Sequence, residues 1–427
     1  MEKIKHSNIN FLNKVLKIIP LGSQTFSRSK IFFDERYSPL FNIKGNNGYI
    51  YDLNKKKYLD LISGLGAVTL GYNIKKLNNK IIPVINKGIT LSLSHPYEYE
   101  LSKTLTKIIP CAEMVRLGKN GTDVTSAAIR LSRFITKKNK IAVCGYHGWQ
   151  DWYISKTTMN GGIPKYVSKD IKSFEFNNIK SLNNIFKKNK LAAVILEPLS
   201  YETPKNKFLE KVKNLCKKNN TILIFDEICT GFRVSLGGAQ KLYSVTPDLA
   251  TFGKGMANGF PISALVGKLK YMKHVEKIFY SGTFGGEILS IKACIETIKF
   301  FKKNNVIKKN ISKGLKIKFE LNEHLKKLKL DKLIKIDGHP TWLFMILNKK
   351  FKKQHPLIRA YIMQKLSEKK IIFLGSFNIQ FLHSKKDVNY IINSFKKIFS
   401  ELCLDINNLN KKTYYKVSKP LFSVRNK

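Results

Sequence analysis

Arginine is scarce in this chain. Only eight of the 77 basic residues are arginine, against 29 acidic residues, and the formal net charge is +48. Proteins that read nucleic acids favour arginine and gather their charge on one face or tail. Here lysine is spread over all 427 residues, often beside asparagine, as in Lys217 to Asn220 and Lys302 to Asn305. That spread reads as compositional drift, and no specific nucleic-acid partner is expected. A non-catalytic basic protein binding a polyanion is the alternative from another functional class. In either case the field draws anions at low salt. Cysteines are few as well. Cys111, Cys144, Cys216, Cys229, Cys294 and Cys403 form no CxxC pair. This argues against a zinc site or a disulfide framework and fits a reducing, cytoplasmic setting. No apolar run approaches the roughly 18 residues of a membrane span, so no membrane partner is expected. The N-terminus lacks the apolar core of a signal peptide. Its Ile9, Leu12, Val15, Leu16 and Ile19 suit a leading amphipathic helix, and a transit peptide would carry arginine before Arg28. Internal repeats and Gly/Ser linkers are also missing.

What is present is enough apolar material, 43% of the residues, for a large core in more than one domain. From Gly48 to Gly71 the text reads as short strands and turns. Val124, Ala127, Ala128, Leu131, Phe134 and Ile135 repeat at helical spacing within Gly121 to Lys138. Ile141 to Cys144, Leu191 to Leu196 and Thr221 to Phe225 are apolar runs of strand length, and Phe208 to Lys218 between the last two is helical. Buried strands alternating with helices indicate an α/β fold, a mostly parallel sheet with helices on both faces. After about Phe301 lysine-rich helices alternate with short strands, Trp342 to Leu347 and Ile371 to Leu374, which predicts a smaller α+β domain. The expected division is 1–65 as a segment joining the small domain, 66–300 as the large domain, and 301–427 as the rest of the small one.

Ligands of such sheets collect at the carboxyl ends of the strands. Glu197 ends one predicted strand; Asp226 and Glu227 end the next. For one acid alone, a helix cap or a surface turn would be explanation enough. Two in successive strands, followed by Gly253-Lys254-Gly255, point to a site. Lys254 lies 28 positions after Asp226. A lysine amine can form an imine with the aldehyde of pyridoxal phosphate (PLP), and a buried aspartate can keep that cofactor's ring nitrogen protonated. A P-loop is excluded, because the residue after Lys254 is Gly255 and not Ser or Thr. Asn120-Gly121-Thr122-Asp123 opens a predicted helix and could cradle a phosphate or serve as an ordinary N-cap. Tyr146-His147-Gly148 follows a strand end, where an aromatic residue could stack on a cofactor ring or simply pack in the core.

Seven segments in order carry a family resemblance: Ile19 to Arg28, Gly48 to Asp52, Met114 to Asp123, Gly145 to Gly148, Asp226 to Arg233, Thr251 to Pro261, and Gly282 to Glu287. From about Ile19 to about Phe381 the chain resembles the class III aminotransferases of the fold-type I PLP enzymes. Within them it is most similar to the glutamate-1-semialdehyde 2,1-aminomutases and their aminotransferase relatives. The resemblance implies a cofactor, PLP, and amino-group transfer on a small amine or carbonyl substrate. Lys254 would form the imine and shuttle the proton, and Asp226 would face the pyridine nitrogen. Gly121 and Thr122 would hold the phosphate, with Tyr146 and Ile228 against the two ring faces and His147 and Glu197 beside them. Thr283 would reach the phosphate of a neighbouring subunit, which implies a homodimer with shared active sites. Arg28 corresponds to the family's substrate-carboxylate arginine.

The sequence departs from the aminomutase pattern at three places. Leu65 stands where those enzymes carry tryptophan, Asn378 where they carry glutamate, and Asn120 where serine is usual. These changes leave the PLP chemistry intact. They bear on the substrate, so a two-substrate aminotransferase acting on a keto acid or keto sugar stands beside the aminomutase reading.

Overall fold

The computed structural model describes residues 2–413. They form two compact units. Among the described residues the large unit runs from Lys76 to Ile307, and the small one combines 2–75 with 308–413. The first boundary therefore lies ten residues later than the expected 65, and the second at 307 instead of 300. Backbone pairing explains the first shift. Asn47 bridges to Tyr72, and the amides of Phe381 and Leu382 donate to the carbonyls of Thr69 and Leu70, which ties 69–72 into the small unit. Residues 414–427, expected in the small domain, lie outside the described residues.

The large unit is built on a seven-stranded sheet in the order Met114–Gly118, Ser263–Gly267, Leu249–Phe252, Ile222–Asp226, Leu191–Leu196, Lys140–Cys144, Ile171–Ser173. The last five are parallel, and Ser263–Gly267 runs antiparallel to both of its neighbours. Every residue of Leu191–Leu196, Ile222–Asp226, Leu249–Phe252 and Ser263–Gly267 is buried. This explains their unbroken apolar text, because helices and loops leave neither face of the sheet to water. At about 1.5–3 kcal/mol for each large side chain buried, these central strands make the rigid floor on which the site rests. Helix Gly121–Thr136 presses Val124, Ala127, Ala128 and Leu131 onto that floor. Its first turn is fixed by Asp123, whose carboxylate accepts the N–H groups of Asn120 (2.7 Å) and Lys119 (3.2 Å).

In the small unit, Asn42–Asn46, Tyr49–Asp52 and Lys57–Asp60 form an antiparallel sheet to which Ile371–Ile372 adds a parallel strand. Ile334–His339, Trp342–Leu347 and Ser376–Asn378 make a second, antiparallel sheet. The rings of Phe373, Phe377, Phe395 and Phe399 pack in tilted and edge-on pairs through the core of the small unit. The leading helix spans Glu2–Leu16.

Candidate active site

Strand Ile222–Asp226 delivers Asp226, 3% exposed, to the carboxyl edge of the sheet. A buried carboxylate is costly unless it is paired. Asp226 is paired on both oxygens. Its Oδ2 lies 2.7 Å from His147 Nδ1, and its Oδ1 accepts the Thr251 hydroxyl and the Ile228 N–H, each at 3.2 Å. His147 and Asp226 belong to the loop after Lys140–Cys144 and to the end of Ile222–Asp226, two strands separated in the sheet by Leu191–Leu196. The other ring nitrogen, His147 Nε2, is buried without a partner. Glu197, at the end of the intervening strand, accepts the Tyr146 N–H at 3.0 Å and so fixes the turn that carries Tyr146 and His147. Burial and the Asp226 charge push the Glu197 carboxyl above its usual range, against the pull of His147 and Lys254.

Lys254 opens the turn after Leu249–Phe252, with a left-handed φ of 44°. Its Nζ donates to Cys229 Sγ at 2.6 Å. Burial alone would lower its pKa, but Cys229, Glu197 and Asp226 outweigh burial and hold the amine charged above its ordinary range. Ile228 bridges this turn to the helix start. A Cβ on Gly121 would meet Ile228 at 3.1 Å, and one on Gly253 would meet it at 3.2 Å. Ser263 closes the same edge, its hydroxyl donating to the Asn120 carbonyl at 2.8 Å.

The first turn of helix Gly121–Thr136 offers what a phosphate requires. The first N–H groups of an α-helix have no partner within it, Gly121 carries no side chain to block approach, and Thr122 Oγ1 is buried with no partner. That orphaned hydroxyl packs against Gly148, where φ is +109° and a Cβ would stand 2.5 Å from it. A buried acid held by a histidine, a lysine amine among acids and a helix start with an unsatisfied hydroxyl together match what PLP presents: a ring nitrogen, an aldehyde and a phosphate.

The family model for class-III aminotransferases matches residues 32–376. The chain belongs to the class III aminotransferases. A 3-aminobutyryl-CoA aminotransferase of Cloacimonas acidaminovorans (strain Evry) is 34% identical over 94% of this chain and 99% of its own length. A glutamate-1-semialdehyde 2,1-aminomutase of Wigglesworthia glossinidia brevipalpis is 33% identical over 93% and 99%. Two solved structures share the fold. A PLP-bound FumI protein of Sphingopyxis sp. MTA144 has a TM-score of 0.87 at 21% identity, covering 96% of this chain and 98% of that one. A glutamate-1-semialdehyde aminomutase of Pseudomonas aeruginosa PAO1 has a TM-score of 0.85 at 15% identity, covering 94% and 96%. This class III aminotransferase is thus a PLP-dependent enzyme that moves amino groups between small amine and carbonyl compounds.

Within the large unit, Asp226, His147, Tyr146, Glu197, Lys254, Ile228, Gly121 and Thr122 fall at one edge of the sheet. Tyr146 is 47% exposed, and its ring packs edge-on against Tyr153. Thr283 lies on an exposed loop beside a cavity of about 990 Å³ that Lys119, Arg116, Arg130, Leu93 and Phe284 also line.

Arg28, Leu65 and Asn378 belong to the small unit. Arg28 is exposed and ends the turn Phe26–Arg28. Leu65 sits inside four successive left-handed residues, Ser63, Gly64, Leu65 and Gly66, whose φ values are 54°, 59°, 60° and 82°. The buried carboxylate of Asp60 pins the start of that turn by accepting the N–H groups of Ile62 and Ser63. Asn378 is 5% exposed, and its amide group donates to the Leu61 carbonyl at 3.0 Å and the Ser376 hydroxyl at 3.3 Å. Those bonds brace the chain from within. Among the described residues no helix is long and apolar enough to cross a membrane.

Sequence reasoning passed over Cys229, Thr251 and Ser263, which reach Lys254, Asp226 and the phosphate turn. Only their positions just after or before strand ends could have marked them.

Proposed function

We propose that this enzyme acts in the manner of a glutamate-1-semialdehyde 2,1-aminomutase, on a small substrate carrying a carboxylate, as a cytoplasmic homodimer. The observation that carries the substrate class is Arg28. It is one of eight arginines in the chain, it is exposed, and its planar fork suits a carboxylate in two-point contact. PLP, when bound, supplies an aldehyde for imine formation and a ring that accepts electrons from the substrate carbon. The chain's residues supply the rest. Lys254 Nζ takes the proton from the substrate carbon and returns it, as base and then acid. Asp226, oriented by His147 and Thr251, would face the protonated ring nitrogen. Gly121 N–H and the Thr122 hydroxyl would hold the phosphate, while Tyr146 and Ile228 would border the ring.

Exposed apolar residues around Thr283 support the dimer: Leu93 is 85% exposed and Phe284 58%. Through Thr283 each subunit would complete its neighbour's phosphate site. The six free cysteines suit a reducing compartment.

A second reading, a two-substrate aminotransferase, is favoured by Asn378, whose amide group is spent inside the small unit, and by Leu65 in place of an aromatic. The Cloacimonas relative is named as an aminotransferase. One incubation separates the two. Glutamate-1-semialdehyde alone should yield 5-aminolevulinate without an added amino donor. No turnover alone, with turnover of a donor and acceptor pair, would establish the second reading. The lysine assignment has its own test. Borohydride reduction should fix PLP to Lys254, and the absorbance band of bound cofactor should vanish in Lys254→Ala.

A further inference from the structure

The Lys254 amine donates to a sulfur, Cys229 Sγ. Cys229 lies in the turn that leaves Ile222–Asp226, three residues after the acid. That turn is rigid. Gly231 N–H donates to the Glu227 carbonyl at 2.7 Å, Val234 N–H to the Thr230 carbonyl at 3.0 Å, and the Thr230 hydroxyl bonds the buried Glu227 carboxylate. Glu227 in turn accepts the N–H groups of Ala239 (2.7 Å) and Gln240 (2.8 Å). Cys229 therefore presents its sulfur from a fixed point. The large unit's other cysteines, Cys111, Cys144, Cys216 and Cys294, are buried, while Cys229 is half-buried and faces the amine. Its ionisable neighbours are Lys254, Glu197, Asp226, Tyr146 and Arg233. Burial pushes the thiol pKa up, partly offset by Lys254.

The softness of this acceptor matters. The lysine must occupy two states, bonded to the cofactor and released while it carries a proton. A carboxylate partner would trap the ammonium and oppose its return. Sulfur accepts weakly, so it fixes the direction of the amine while letting it leave. Without an acceptor the long, flexible lysine stem has many rotamers to search after each release.

We propose that Cys229 is a positioning residue that parks the released Lys254 amine between proton transfers. The proposal rests on Lys254 being the imine-forming lysine. In the cofactor-free protein, alkylation of Cys229 by iodoacetamide is followed against pH by peptide mass spectrometry, in wild type and in Lys254→Met. The wild-type midpoint should lie about one pH unit lower, because the ammonium favours the thiolate. In the loaded enzyme, Cys229→Ala should lower kcat about tenfold, a fraction of the effect of a whole acid–base group. KM should stay within about twofold. The isotope effect for a deuterated substrate carbon should rise, and Cys229→Ser should recover most of the rate. Coincident midpoints would overturn the proposal, and so would an unchanged kcat and isotope effect in Cys229→Ala. If borohydride fixes no PLP to Lys254 in wild type, the reading beneath the proposal fails. If it does and the midpoints coincide, the proposal alone fails.

Discussion

Gly148→Ala should damage the phosphate site from outside it. Gly148 has a φ of +109°, and an added Cβ would lie 2.5 Å from Thr122 Oγ1, 2.8 Å from Thr122 Cβ and 3.2 Å from Thr122 Cα. Rotating the threonine relieves only the first contact, since the last is backbone at the helix start. A left-handed backbone costs a non-glycine residue about 1–2 kcal/mol. Overpacking costs a further 1–3 kcal/mol, roughly. Gly162→Ala is the matched control, because its φ is +78° and nothing lies within 4 Å of its Cβ position. It carries the first cost without the second. The two variants should therefore differ by about 1–3 kcal/mol, or roughly 5- to 150-fold in an equilibrium constant. Titrating cofactor-free protein with PLP and following the absorbance of the bound form measures the affinity, and urea unfolding measures the stability. If Gly148→Ala binds PLP and unfolds like Gly162→Ala, Thr122 is not confined as described and the phosphate assignment loses its main support.

Other outcomes follow from the same geometry. Burial raises the Glu227 carboxyl from 4.5 to about 7, so folding favours its protonated form. The unfolded chain releases that proton near pH 4.5, and stability from this group falls as pH rises from about 4.5 to 7, by roughly 3 kcal/mol at 1.36 kcal/mol per unit. The difference between wild-type and Glu227→Gln unfolding free energies should therefore slope across that window, and a flat difference would contradict it. Asp226→Asn removes a charge-assisted bond worth about 1.5–3 kcal/mol, so kcat should fall at least about tenfold while borohydride still fixes PLP to Lys254. Arg28→Lys keeps the charge but loses the fork, and KM for a carboxylate substrate should rise about tenfold with kcat little changed. Binding to heparin should vanish near physiological salt, where scattered lysines are screened; persistence there would favour the polyanion alternative.

Much of this fold is written plainly in the chain. Leu191–Leu196, Phe208–Lys218 and Trp342–Leu347 begin and end where periodicity puts them. In each, one period runs unbroken between charged or polar residues. Strand Ser263–Gly267 was not legible. Its residues suit any buried strand, and its antiparallel direction depends on neighbours at 114–118 and 249–252. The strand read over Ile371 to Leu374 shortens to Ile371–Ile372, because only those two residues find partners in Leu59 and Asp60. In the site, ordered motifs picked out Lys254 and Asp226, but spacing says nothing of contact. The bond between His147 and Asp226 crosses 79 residues and an intervening strand, and the Lys254 bond to Cys229 crosses 25. Both come from three-dimensional closure alone. Asn378 shows the converse. Its place in the family pattern bears on the substrate, while its amide group donates to the Leu61 carbonyl within the small unit.

The reversed strand also governs how the molecule can vary. Ser263 pairs with Gly118 at one end of Ser263–Gly267, and Gly267 with Met114 at the other. Lys254 lies on the connection entering that strand, so one residue gained or lost between 253 and 262 would have to be absorbed in the connection or slide the pairing. A one-residue slide moves every side chain of the strand to the opposite, equally packed face of the sheet. The open turn holding Gly161 and Gly162 faces no such restriction. Libraries of insertions and deletions should therefore recover variants around 161–162 and almost none across 253–262, so that new substrate preferences enter this scaffold by substitution or from its freer loops.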